Sequence, residues 1–242
     1  MRKFLSLLLV TAASVAVVRG IVIPWSRTWG RRTEDDVPLP GDDLVADATA
    51  TETRGIDIAA PPESVWPWLT QMGYGRAGWY SYDALDMSQP SAGTLDPAIG
   101  DVTVGDVMPT HPGGGFVVRI ADPPHALVLY SDTELVRRQA EEAKADEGAG
   151  GPVNIQATGA LLQTAQPAEF SASWAFAVQS RPDGTSRLVE RLRVRFGADD
   201  RPWLGATMPM VGFGVFLMMR KQMLGIRERV ERSIRSTNPI TV

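Results

Sequence analysis

Alternating apolar and polar residues predict several β-strands, most clearly in the second half of the chain. Over residues 170–178 the apolar side chains fall on one face. After a Pro-Asp-Gly turn at 182–184, apolar residues again alternate, this time with Arg187, Arg191, Arg193 and Arg195. Because a row of arginines is costly to bury, we expect it to face water. The pattern therefore predicts an antiparallel sheet with one covered side.

The same period of two predicts shorter strands elsewhere. They span residues 54–60, 101–108, 116–121 and 127–130, and the sequence Asp-Pro-Pro at 122–124 predicts a turn between the last two.

Helical spacing follows the first strand. Apolar residues at i, i+4 and i+7 predict a helix over 62–72, with Pro62 in its first turn and Pro67 as a kink. Residues 79–85 predict a second short helix, which completes a helical hairpin. Residues 133–147 carry opposite charges four apart and predict an exposed helix.

A long helix is predicted at the C-terminus, over residues 203–233. Its first part, 203–219, carries no charge and contains Pro209. This part is short for a membrane span, so we interpret it as a helix buried on several sides, with a second span as the alternative.

The N-terminal residues 1–32 have the pattern of a membrane anchor. An apolar run begins after Arg2 and Lys3 and, taken to Trp25, would form about 33 Å of helix. Trp25 and Trp29 alternate with arginines, as residues at a membrane interface do. We predict a single retained span with the domain on the cytoplasmic side; the alternatives are a cleaved signal and a secreted protein, or a helix packed on the domain. The acidic, Pro/Gly-containing residues 33–50 predict a flexible tether.

Composition excludes several chemistries. The 242-residue chain has no cysteine and two histidines, which excludes disulfides, thiolate catalysis and cysteine-based metal sites and argues against a multi-histidine metal site. Its net charge of −4 does not indicate nucleic-acid binding. We predict neither a metal nor a cofactor.

Five segments together resemble bacterial members of the SRPBCC superfamily. They are APPESVWPWLTQMGYGRAGWYSYDALDM, VTVGDVMP, SASWAF, SRLVERLRVRF and MLGIRERVE, and the earlier PLPGDDLV also fits. The superfamily includes START-related lipid carriers, pollen-allergen-like proteins and polyketide cyclases. The resemblance covers roughly residues 37–235 except 132–168, which are interpreted as an insertion and a candidate lid.

This resemblance implies an α+β helix-grip fold over residues 51–236, followed by a short tail, 237–242. In that fold a curved antiparallel sheet wraps around the long C-terminal helix, the helical hairpin closes one end, and an apolar cavity lies between sheet and helix. Under this interpretation the ligand-binding residues are Trp66, Leu69, Trp79, Tyr80, Tyr82, Phe116, Trp174, Phe176, Glu190, Met210, Phe213 and Leu217. Sequence leaves open whether the aromatic residues and methionines line a cavity or form an ordinary core.

Glu190 is the one residue that breaks its pattern. Alternation places it on the apolar face, where burial would raise its pKa and suit it to acid–base chemistry. The alternatives are a β-bulge that turns it outward or a salt bridge with an inward arginine. His111, in a glycine-rich loop, is a second and weaker catalytic candidate.

Three functions remain open. The first is a membrane-tethered module that binds a hydrophobic small molecule or lipid. The second is a cyclase- or hydratase-like enzyme that uses Glu190 or His111 with Tyr80 or Tyr82. The third is an interaction domain whose own side chains fill the cavity.

Overall fold

A computed structural model describes residues 20, 23–84, 90–147, 169–197 and 202–237, with backbone only for residues 23, 144–147, 202–211 and 237. The helices in these ranges are α1 (Ile23–Thr28), α2 (Pro62–Thr70), α3 (Thr133–Glu147) and α4 (Pro202–Thr237). Two 3₁₀ turns, Thr33–Asp35 and Asp42–Val45, lie between α1 and the sheet. The strands are β1 (Ala50–Ile58), β2 (Val107–His111), β3 (Gly114–Asp122), β4 (Ala126–Asp132), β5 (Phe170–Ser180) and β6 (Ser186–Phe196).

The six described strands form one sheet in the order β1-β6-β5-β4-β3-β2, and every neighbouring pair is antiparallel. The first and last strands therefore pair, and α4 returns from the end of β6 to pack against β1 and α2. This is the helix-grip arrangement, so the predicted α+β class and the main elements are confirmed.

The core lies between α4 and one face of the sheet, here called the inner face. Leu127, Phe176 and Leu188 from neighbouring strands are fully buried. From α4 they meet apolar residues spaced three and four apart, which share one side of a helix: Met223, Ile226 and Val230. Helix α2 adds Val65, Trp68 and Leu69 to the same cluster.

The predicted second helix of the hairpin is wrong for the part that the structure describes. Residues 79–84 form turns, after a tight loop closed by pairing of Gly73 with Gly78. Tyr80 has a φ of 56°, in the left-handed region, which a right-handed helix cannot include. The turn is held instead by Ser91, whose Oγ accepts from Tyr80 N and donates to the Asp83 carboxylate.

The predicted strand at 101–108 begins later, at Val107. Residues 103–106 form a turn in which the Asp106 carboxylate accepts a hydrogen bond from Thr103 N at 2.7 Å. Gly105 has a φ of 101°, which strands do not use.

The arginine face of β6 is here called the outer face. Contrary to the prediction, its first half does not face water, whereas the side chain of Arg195 at its end is 40% exposed. Arg187 is 1% exposed and Arg191 is 6% exposed. The acidic residues that follow α1 cover them: both oxygens of Asp35 accept hydrogen bonds from Arg187, at 2.7 and 2.6 Å. Asp42 pairs with Arg191 at 2.5 Å. Residues 33–45, predicted as a tether, are therefore packed on the sheet, because their carboxylates neutralise its arginines.

The N-terminal segment is described only from α1 onward, apart from Gly20. Trp25 and Trp29, predicted at a membrane interface, contact Phe216 of α4 at ring distances of 5.1 and 6.1 Å. None of the described helices, α4 included, is both long and apolar enough to cross a membrane. The apolar run at 4–18, on which the predicted anchor depends, lies outside the described residues.

Candidate functional site

Several of the predicted ligand-binding aromatics meet on the inner face. Trp79, from the turn after α2, stacks on Trp174 of β5 with ring centres 5.2 Å apart and planes 14° apart. Phe116 of β3 meets the same indole edge-on at 5.6 Å, and Phe176 lies 5.1 Å away. Trp174 is thus the centre of an aromatic cluster that joins three parts of the fold.

Glu190 lies beside this cluster and is completely buried. It pairs across the sheet with Phe176 on one side and Arg54 on the other. Both registers run without a break through Glu190, so the β-bulge alternative is wrong and the side chain points inward as predicted. The indole Nε1 of Trp174 donates to Glu190 Oε1 at 2.7 Å. The other oxygen, Oε2, is buried without a hydrogen-bond partner among the described residues.

The salt-bridge alternative for Glu190 is also not realised. Arg54 shares the inner face but pairs with Glu52 at 2.7 Å and donates to the carbonyl of Ser26 at 2.9 Å. Within the described residues Glu190 has no ion pair within 4 Å. Burial raises the pKa of Glu190 to about 8, although the Trp174 hydrogen bond and the charge of Arg54 act in the opposite direction. The carboxyl is therefore mostly protonated, and neutral, at pH 7.

Exposure changes along the inner face at the level of Glu190. On the side of the β6 N-terminus, Leu188 and its neighbours are closed off from solvent. On the other side, Leu192 and Val194 of β6 are half-buried. Phe213 and Leu217 of α4 are also half-buried, but Phe213 packs against Phe216, which contacts Trp25 and Trp29. We call the half-buried inner-face group the open end: Phe116, Trp174, Leu192 and Val194.

The remaining predicted ligand-binding residues lie elsewhere. Trp66, Leu69 and Phe176 belong to the closed core, and so does Tyr80. The Tyr80 hydroxyl accepts a hydrogen bond from Gln71 at 2.7 Å, and burial raises its pKa to about 12. Tyr82 is on the surface, 40% exposed. The side chain of Met210 is outside the described residues.

The two catalytic candidates are far apart. His111 is exposed at the end of β2, where its Nδ1 accepts a hydrogen bond from Gly113 N at 3.1 Å. Three strands lie between β2 and β6, so roughly 19 Å separates the two strands at about 4.8 Å per step. His111 and Glu190 therefore do not form a catalytic pair. Across the described ranges, no cluster of His, Asp and Glu could hold a metal ion.

Sequence reasoning missed Arg54 as a neighbour of Glu190. Arg54 is two residues before Ile56 and four before Ile58, so the period of two places all three side chains on the inner face. The strand pattern therefore contained this signal. It also missed the Trp174–Glu190 hydrogen bond, which depends on the pairing of β5 with β6.

Comparison with known proteins gives fold-level likeness only. No family model matches the chain, and no curated protein matches it. Among solved structures, the chain is similar to protein MLL2253 from Mesorhizobium loti (16% identity, 78% of this chain, 99% of that chain, TM-score 0.35). It is also similar to a conserved protein from Geobacillus kaustophilus (13% identity, 76% of this chain, 97% of that chain, TM-score 0.37). A third similar structure is Ara h 8.0201 (13% identity, 77% of this chain, 98% of that chain, TM-score 0.27). The helix-grip assignment rests on the strand order and the position of α4.

The chemistry available at the open end is narrow. It consists of half-buried apolar walls, one indole and one neutral carboxyl whose second oxygen has no partner among the described residues. Such a site can hold an apolar molecule and satisfy a single polar group of that molecule.

Proposed function

We propose that the protein binds an apolar small molecule at the open end, where Glu190 meets one polar group of the ligand. The observation that carries this proposal is the unpartnered Oε2 of Glu190, buried beside half-buried apolar side chains. A buried polar atom without a partner costs about 1–3 kcal/mol, and a ligand hydroxyl or carbonyl would remove that cost. In this proposal the apolar run at 4–18 tethers the domain to a membrane.

A long-chain alcohol carrying a diazirine tests the proposal. After irradiation of the full chain in detergent, we expect labelled peptides to include residues 190–196. Leu192→Trp should fill the open end and reduce this labelling at least about tenfold, as loss of one good apolar contact surface would. Val194→Trp is a second filling variant, on the same strand.

Val107→Trp is the matched control, because Val107 is exposed on β2 at the far edge of the sheet. Labelling confined to other segments, or equal labelling in the filled and control variants, would contradict the proposal and favour an interaction domain with a closed interior. Circular dichroism confirms that each variant is folded. Native mass spectrometry of the purified chain would identify a co-purified apolar molecule.

The enzyme alternative keeps one supporting observation, the raised pKa of Glu190, which suits a general acid at neutral pH. Glu190→Gln separates the two functions, because the amide still accepts the Trp174 hydrogen bond but cannot transfer a proton. Binding that is retained while turnover of the bound molecule is lost would establish catalysis. Binding without turnover in either protein supports the binding module.

A further inference from the structure

A cleft of about 500 Å³ lies outside the sandwich of sheet and α4, at the edge strand β1. Its walls come from residues 29–32, from β1 and from the middle of α4. Gly55 N donates to Gly30 O at 2.6 Å, which fixes the first wall against β1. This cleft is separate from the open end and has a different chemistry.

The lining of the cleft is rich in arginine although the whole chain is acidic. It includes five arginines and one carboxylate, that of Asp57, whereas the chain has a net charge of −4. The arginines are Arg31, Arg32, Arg187, Arg220 and Arg227. Such a local concentration of positive charge attracts anions.

Three of these arginines already have acidic partners. Arg32 and Arg187 share Asp57, at 2.6 and 3.0 Å, and Arg187 also binds Asp35. Arg31 lies 3.6 Å from the exposed Asp36.

The other two arginines, both on α4, have no acidic partner. Neither Arg220 nor Arg227 has an ion pair within 4 Å in the described part of the chain. The Nε of Arg220 is moreover buried with no hydrogen-bond partner there. These two guanidinium groups are therefore available to an external anion.

Packing holds Arg220 in place beside an apolar surface. Its guanidinium lies 5.3 Å from the ring centres of both Trp25 and Trp29. Arg227 is two helical turns further on, so it falls on the same side of α4. Leu224 lies between them and, with Trp29, gives the cleft an apolar part. Two guanidinium groups beside an apolar surface suit a phosphate group that is attached to an organic molecule.

We propose that this cleft binds a phosphomonoester, with Arg220 and Arg227 as its principal contacts. The phosphate belongs either to a free organic phosphate or to a lipid headgroup. Residues 29–32 follow closely on the apolar N-terminal run, so a lipid headgroup would reach the cleft if that run lies in a membrane.

Calorimetric titration of the full chain in a neutral detergent tests the site. One arm uses glycerol 3-phosphate, and the other uses micelles containing phosphatidic acid, with phosphatidylcholine as the reference. We expect saturable binding in at least one of the two arms. The double variant Arg220→Gln/Arg227→Gln should weaken that binding about tenfold or more, as the loss of charged hydrogen bonds does.

Arg232→Gln/Arg235→Gln is the control, because it removes the same charge from exposed positions on the same helix. It should leave the affinity within about twofold. Binding in the lipid arm alone identifies the headgroup as the source. No binding in either arm, or an equal loss in both double variants, would overturn the site. Labelling by the diazirine alcohol should persist in Arg220→Gln/Arg227→Gln, so failure of this site and failure of the open end are distinguishable.

Discussion

The two faces of β6 bury charged groups in opposite ways. On the outer face, Arg187 and Arg191 lie under the acidic segment, and each has a carboxylate partner within 2.6 Å. On the inner face, Glu190 is just as buried but has one hydrogen bond, from Trp174, and one oxygen with no partner in the described residues.

This difference determines what each face can do. Burial lowers the pKa of Arg187, but its hydrogen bonds to the carboxylates of Asp35 and Asp57 outweigh that effect and raise the pKa, so that group stays charged and holds the acidic segment in place. Burial without a charged partner instead raises the pKa of Glu190 to about 8, so that group changes its protonation near neutral pH. The paired face is therefore structural, and the unpaired carboxyl is the group to which our proposal assigns the ligand contact.

Asp35→Ala should cause the largest loss of stability among changes on the outer face. Asp35 is 1% exposed and gives Arg187 both of its shortest contacts. Removing one member of a buried ion pair leaves the other charge uncompensated, and we expect the free energy of unfolding to fall by about 3 kcal/mol or more. Urea denaturation monitored by circular dichroism measures this loss.

Asp36→Ala is the control for that variant, because the neighbouring carboxylate is exposed and only 3.6 Å from an exposed arginine. Its cost should stay below about 1 kcal/mol. Equal losses for the two variants would mean that the acidic segment does not pack on the sheet in solution.

Much of the fold was predictable because its strongest elements have clear periods. Strands β5 and β6 alternate over most of their length, and that alternation alone placed Glu190 inside. The long terminal helix followed from an uncharged stretch joined to an amphipathic one. These signals are local, so a single sequence contains them.

The outer face was not predictable in the same way. The sequence shows four arginines on one strand and acidic residues at 34–43, but their contact joins segments about 150 residues apart. No local pattern specifies that distance. The prediction of a helix at Tyr80 was wrong for another reason. Sequence rules expect a left-handed φ at glycine or asparagine, whereas the left-handed φ of Tyr80 is set by tertiary contacts. For the candidate site, the sequence predicted which residue types would line the inner face. Which of them are half-buried at the open end is decided by packing, so the sequence did not predict it.

Glu190→Gln tests whether the buried carboxyl on the inner face has a raised pKa. The pKa of Glu190 is about 8 in the folded protein against an ordinary value of 4.5, so between these pH values the folded state holds a proton that the unfolded state has lost. The wild type should therefore lose stability relative to the variant as pH rises from 4.5 to 8, by up to about 1.4 kcal/mol per pH unit. Below pH 4.5 and above pH 8 the difference should be constant.

Urea midpoints of both proteins, measured at half-unit steps from pH 4 to pH 9, test this expectation. Glutamine keeps an oxygen that accepts the Trp174 hydrogen bond, so packing is nearly unchanged. Parallel profiles across the window would show that the carboxyl ionises normally and that Glu190 reaches water.

The smallest expected effects come from two glycine substitutions, which compare how tightly the outer face and the first half of α4 are packed. A Cβ added at Gly55 would lie 2.5 Å from Nη2 and 2.7 Å from Cζ of Arg187. That guanidinium is fixed by Asp35 and Asp57 and cannot move aside freely. Gly55→Ala should therefore lower the free energy of unfolding by about 1–2 kcal/mol, as overpacking does.

Gly214→Ala in α4 should instead raise the free energy of unfolding. A Cβ there meets no atom within 4 Å, because the helix is not closely covered at this position. Alanine is favoured over glycine in a helix, so we expect a gain of up to about 1 kcal/mol, measured by the same urea titration. A loss at Gly214 as large as that at Gly55 would mean that the first half of α4 is packed as closely as the outer face.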